Sequence, residues 1–140
     1  MSRTVDPEEL RTIARIKDGS VILIRALGRE DEELMLELYN SFSPETKKQR
    51  WFHAKTYMPR RELISYLDND YERDVAVLAV WQDYDGETPL GVGRYTRQGD
   101  EAEVAVVVRD DWQGRGVGTA LLQHLASVAE RHGVAALTAE

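Results

Sequence analysis

The chain has no cysteine, which excludes disulfides and thiolate metal sites. Long apolar runs are also missing. The longest, near residues 75–81, is far too short to cross a bilayer, and the N-terminus lacks the basic-then-apolar layout of a secretory signal. A cytoplasmic location with no membrane partner is therefore expected. Surplus positive charge is absent too: the formal net charge of −7 argues against general nucleic-acid binding, which needs a basic surface. Histidine is scarce, with three in all. His53, His124 and His132 have no visible catalytic partner, and surface placement is the simpler reading. Repeats and low-complexity segments do not occur.

What is present reads as one folded domain. A chain of 140 residues, 42% apolar and 31% charged, is long enough for a real core and ordinary in composition. Charge is uneven: between residues 43 and 61 lie Lys47, Lys48, Arg50, Lys55, Arg60 and Arg61 against Glu45 alone. Such a run is either a solvated helix-flanking surface or a local attractor for an anionic ligand or acidic partner.

Asp6-Pro7-Glu8-Glu9 has the form of a helix start, followed by a stripe of Leu10, Ile13 and Ala14 that Asp18-Gly19 ends. This predicts a helical leader over residues 1–20, ahead of a domain over 21–140. Residues 21–25 read as a strand. Helices are predicted from Gly28 with Leu34, Leu38 and Phe42 on one face, from Ser43 to about Phe52, and over 60–67. Three strands then follow over 75–81, 90–96 and 101–109, separated by the turn signals Asp85-Gly86 and Gln98-Gly99-Asp100. A helix over 117–132 carries the stripe Val117, Leu121, Leu122, Leu125 and Val128; Gly133 ends it, and a last strand begins at Ala135. The result is an α/β domain of the α+β type with a mostly antiparallel sheet. Its closing β-α-β unit is a parallel crossover.

Between the third strand of that meander and the long helix lies Gln113-Gly114-Arg115-Gly116-Val117-Gly118-Thr119. Glycines at alternate positions let successive backbone N–H groups converge without Cβ atoms between them. The first turn of the helix adds unpaired donors and a positive dipole end, so phosphate or diphosphate is the natural guest. Arg115 could add a charged contact and Thr119 a hydroxyl. A P-loop would need a lysine before Thr119, and a dinucleotide fingerprint would space its last glycines differently and follow the first strand of a parallel sheet.

The run from Gln113 to Leu122 resembles the acyl-CoA-binding motif of the GNAT superfamily of N-acyltransferases, Gln/Arg-x-x-Gly-x-Gly/Ala, with Gln113, Gly116 and Gly118 at its fixed positions. The segment 101–116 is most similar to the bacterial protein-lysine acetyltransferases, and Ser43-Pro44-Glu45-Thr46 with Arg50-Trp51-Phe52 resembles their helix pair. The resemblance implies acetyl-CoA as co-substrate, with no metal. The amides of Gln113, Gly114, Arg115, Gly116, Val117, Gly118 and Thr119 would hold the diphosphate, and the main chain of Val106, Val107 and Val108 the pantetheine arm. A bulge in that strand would splay it from its neighbour. The acceptor would be a protein lysine or a small amine; an acyl-CoA-sensing module without turnover is the alternative.

A lysine ammonium, with a pKa of about 10.4, must lose a proton before it can attack a thioester. A carboxylate in a partly desolvated cleft can take it. Strand alternation puts Glu101 and Glu103 on one face and Ala102, Val104 and Val106 on the other. Glu103 matches the family's general base, and Glu101 is the weaker candidate. A backbone N–H near Val106 would face the developing oxyanion. The resemblance also implies a helix and two further strands after residue 140, including a tyrosine that protonates the leaving thiolate. Without them the fold is C-terminally incomplete, weak turnover with retained CoA affinity is expected, and the open edge of the last strand invites self-association.

Overall fold

The computed structural model describes residues 4–51 and 58–139, except the side chain of Trp51. Six strands form one sheet in chain order: β1 (Thr12–Arg15), β2 (Val21–Ala26), β3 (Asp74–Asp83), β4 (Gly86–Gln98), β5 (Glu101–Val108) and β6 (Ala136–Ala139). Neighbours are antiparallel except β5 and β6, which run parallel. This is the mixed α/β fold expected. α1 (Glu32–Asn40), α2 (Pro44–Trp51) and α3 (Arg60–Leu67) come between β2 and β3, and α4 (Val117–Arg131) joins β5 to β6.

Both faces of the sheet are covered. Central β3 is accordingly apolar on both sides, with Val75 through Val80 buried. One core gathers Val75, Val77, Tyr95, Val104 and the α4 residues Val117, Leu121, Leu125 and Val128. The other gathers Leu78, Val80, Val92 and Val107 with Met35, Leu38 and Tyr39 of α1 and Leu63, Tyr66 and Leu67 of α3. Leu122, expected on the buried stripe of α4, is 44% exposed. Residues 117, 121, 125 and 128 recur every three or four positions, whereas 122 lies about 100° round from 121.

Gly93 and Gly91 of β4 are explained by α4 and β5. A Cβ on Gly93 would stand 2.8 Å from Leu125 Cδ1, and one on Gly91 would stand 2.9 Å from the Val107 carbonyl oxygen. Their absence lets the helix sit directly on the strand. The β3–β4 ladder shifts register between Ala79 and Val80 and leaves Leu90 out of the pairing, a bulge just before the stretch that pairs with the end of β5.

The leader differs from expectation. Its helix is a single 3-10 turn, Pro7–Leu10, with Asp6 capping Glu8 N–H, and Thr12–Arg15 is a strand at the edge of the sheet. Leu10 is fully buried in the α4-side core, which fixes the end of that turn. Asp18-Gly19 closes a hairpin and does not stop a helix: Gly19 has φ +90° and Asp18 Oδ1 accepts Ser20 N–H at 2.8 Å.

Candidate functional site

An open cleft of about 600 Å³ lies between the start of α2 and the C-terminal end of β5. Ser43, Glu45, Thr46 and Gln49 line one wall; Val106, Val107, Val108, Asp110, Gln113 and Gly118 line the other. The α2 wall is tied to the loop opposite, because Asp110 Oδ1 lies 3.4 Å from both Ser43 N and Thr46 Oγ1. Ser43 Oγ in turn accepts Thr46 N–H at 3.2 Å, which starts α2 at that point.

The β5 wall presents main chain. Arg109 N–H donates to the Leu90 carbonyl, and the β4–β5 register is continuous from Gly91↔Val108 to Gln98↔Glu101. The alternation of an antiparallel ladder therefore turns the peptide groups of Glu103, Ala105 and Val107 toward β4 and those of Val104, Val106 and Val108 away from it. β6 covers that outer edge only as far as Val104, opposite Ala139. Among the described residues, Val106 and Val108 are left facing outward, and the Val108 carbonyl takes the side-chain amide of Gln113 at 3.0 Å. β6 pairs with β5 from Glu101 to Val104, and Ala139 is the last residue described. Val107 contributes its side chain to the cleft wall, but its peptide is spent on β4.

The glycine turn follows. Gly114 has φ +77° and Gly116 φ +103°, and the latter is the N-cap of α4. The first bond of the helix runs from Ala120 N–H to the Gly116 carbonyl at 3.1 Å, and none of the N–H groups from 114 to 119 donates to the backbone carbonyl of a described residue. No side chain caps the helix. Six consecutive amides and the positive end of a four-turn helix are thus available to an anion, with Gln113 and Gly118 on the cleft wall.

Arg115 is held within the protein. Its Nε contacts Asp18 Oδ2 at 2.5 Å, and its guanidinium carbon stacks 3.6 Å above the Trp112 ring centroid. Asp18, bonded first by Ser20 N–H and then by Arg115, has its pKa drawn down to about 2. Val117 is buried and Thr119 exposed.

Glu103 lies outside the cleft. It is exposed on the same face as Glu101, in register with Thr96 and Thr138, beside a separate hollow of about 160 Å³. It forms no ion pair with a described residue, and it lies three steps along the strand from Val106, about 10 Å.

The remaining polar candidates are structural. His124 Nε2 lies 2.8 Å from the Leu10 carbonyl, and His132 Nε2 lies 2.9 Å from Glu9. Tyr71 donates to the Leu27 carbonyl at 2.7 Å, and Tyr66 is buried beneath Arg94. Within the basic run, Lys47 is buried with Nζ 4.5 Å over the Tyr39 ring, and Arg60 pairs with Glu32. His53, Lys55 and Tyr57 lie outside the described residues. Sequence reasoning missed Asp110, Thr46 and Asp18 as parts of this site. The Ser43-Pro44-Glu45-Thr46 capping pattern was the signal available for one of them.

The sequence profile of the Acetyltransferase (GNAT) family matches residues 33–140. An acetyltransferase of Pseudomonas aeruginosa is 34% identical over 124 residues, spanning 86% of this chain and 66% of that protein. The acetyltransferase Pat of Mycolicibacterium smegmatis is 33% identical over 125 residues, 86% of this chain and 36% of that one. The chain thus spans less than two thirds of the length of either relative. The GNAT domain of S. lividans PAT superposes with a TM-score of 0.84 at 29% identity, covering 93% of this chain and 77% of that one.

Proposed function

The chain belongs to the GNAT acetyltransferase family, and we propose that it transfers acetyl from acetyl-CoA to a primary amine, a protein lysine, with Glu103 as general base. The observation that carries this reading is the junction of two main-chain arrays at one cleft: the amides of 114–119, none of which donates to the carbonyl of a described residue, and the peptides of Val106 and Val108, which face away from β4. A diphosphate joined to an extended chain of two amides needs both, in that order.

The N–H groups of Gly114 to Thr119 bind the diphosphate without a cation, because the helix end supplies the positive potential. Val106 and Val108 bond the pantetheine amides as an added strand would. An arm that runs from the diphosphate loop past Val108 and Val106 brings its acyl end near Ala105. Glu103 lies two positions away, on the face carrying α1 and α3. From there its carboxylate takes the proton of the entering ammonium, directly or through one water, and the free amine attacks the thioester carbonyl. The tetrahedral intermediate collapses with cleavage of the C–S bond, and the departing CoA thiolate takes up the surplus proton of the nitrogen, directly or through water. The outward N–H of Val106 stabilises the oxyanion.

Glu103→Gln tests the assignment. Acetyl transfer to a lysine peptide should fall by about a hundredfold or more, while CoA affinity stays unchanged. Equal rates for the two proteins would remove Glu103 from the mechanism. Acetylation of a small amine in preference to any peptide would replace the acceptor.

A further inference from the structure

We propose that the β1–β2 hairpin turn positions the diphosphate loop, acting through Asp18 on Arg115 and through Lys17 on Gly116. The inference rests on the acyl-CoA reading above and extends it to a segment that lies outside the family match at residues 33–140.

Two independent contacts bring the turn to the loop. The first is steric. Gly116 sits so close to the hairpin that a Cβ there would be 2.8 Å from Lys17 N and 3.3 Å from Ile16 Cβ. With φ +103°, Gly116 holds a conformation that other residues adopt only with strain. The hairpin is thus a wall against which the loop's most constrained residue is pressed.

The second contact is electrostatic and directional. Asp18 uses one carboxylate oxygen on Ser20 N–H, inside its own turn, and the other on Arg115 Nε. The turn is itself braced: Ile16 N–H donates to the Ser20 carbonyl at 2.9 Å, and Arg15 reaches the Gly19 carbonyl at 3.2 Å. Asp18 is therefore a fixed acceptor. Arg115, held by it, stacks on Trp112, whose ring centroid is 5.8 Å from that of Trp81 on β3. One row of contacts passes from hairpin to loop to sheet and spans the residues on both sides of Gly114.

Arg115 is then a positioning residue. Its guanidinium serves to hold the peptide groups of 114–116 in place, and it does not grip the ligand. The alternative role gives the opposite sign in one experiment. If Arg115 were a phosphate ligand restrained by Asp18, loss of the aspartate charge would release it and tighten binding. If Asp18 positions the loop, the same change loosens the amide array and weakens binding.

The experiment is calorimetric titration of CoA into the unsubstituted chain, Asp18→Asn, Asp18→Glu and Arg115→Gln, with a melting curve for each. Asp18→Asn should weaken CoA by up to about fivefold, the size of an exposed ion pair, with the melting temperature nearly unchanged. Asp18→Glu should recover most of the affinity, and Arg115→Gln should lose no more than Asp18→Asn. Tighter binding by Asp18→Asn, or affinity within error of the unsubstituted chain, would overturn the proposal while leaving the acyl-CoA reading intact. CoA failing to bind the unsubstituted chain would remove both.

Discussion

The side-chain amide of Gln113 donates to the main-chain carbonyl of Val108 at 3.0 Å. This bond spans five residues and joins the end of the open strand edge to the start of the glycine turn. Removing it with Gln113→Ala leaves the fold's core untouched, because Gln113 is exposed. CoA affinity should fall about fivefold, consistent with one hydrogen bond of about 1 kcal/mol, with little change in melting temperature. Titration calorimetry with a thermal melt reads both.

The glycines of the loop are not equivalent. Gly114 and Gly116 both have positive φ, but nothing lies within 4 Å of a Cβ on Gly114, whereas Lys17 N crowds one on Gly116. Gly114→Ala should cost about 1 kcal/mol from backbone strain alone. Gly116→Ala should cost clearly more and should also abolish CoA binding. Chemical denaturation of the two variants checks the order; equal costs would mean that the hairpin does not press on the loop.

In β4 the order is set by what the new methyl would meet. At Gly93 it meets a leucine side chain that can rotate, and at Gly91 the backbone oxygen of Val107. Overpacking of this kind costs about 1 to 3 kcal/mol, so Gly93→Ala should lie near the lower figure and Gly91→Ala near the upper. Denaturant midpoints at constant m-value would show it.

Tyr95 is fully buried, its hydroxyl has no hydrogen-bond partner among the described residues, and burial pushes its pKa up to about 12. Tyr95→Phe removes an unpaired polar atom and leaves the ring, so stability should be unchanged or higher by up to about 1 kcal/mol. A fall in melting temperature would show that the hydroxyl is satisfied in solution.

Acid should destabilise the protein through a few identifiable carboxylates. Asp70 is partly buried, which raises its pKa, but N–H groups of Asp74, Glu72 and Arg73 bond it and hold the value below that of a free aspartate. Glu9 is lowered in the same way by His132 and Arg131 against its burial, and Asp18 is drawn to about 2. A lowered folded-state pKa gives stability that is complete above the unfolded value, near 3.8 for aspartate, and is lost as pH falls below it. Melting temperature should therefore hold level above that range and drop toward pH 2. Asp70→Asn should make the acid drop shallower.

Most of this fold was legible because its signals are local. The apolar run of β3, the turn at Gly99-Asp100 and the stripe of α4 each declare themselves within a few residues. The hairpin at the N-terminus did not, since Asp6-Pro7-Glu8-Glu9 is a true helix start whose helix lasts one turn. What ends it is the burial of Leu10 against α4, a contact with residues more than a hundred positions away. The candidate site divides in the same way. Alternate glycines before a helix announce an anion cradle, but the pairing of Arg115 with Asp18 spans 97 residues and leaves no trace in either local sequence. The outward edge at Val106 and Val108 was expected with a bulge in β5; the β4–β5 register is continuous there.

The amide array from 114 to 119 is best tested by following the backbone ¹⁵N–H resonances of the chain as CoA is added. Saturable shifts concentrated at residues 114–119, with Val106 and Val108 next, are the expected result. Shifts confined to the opposite end of the sheet, or no saturable shift at the glycine turn, would contradict the assignment of this loop to the CoA diphosphate.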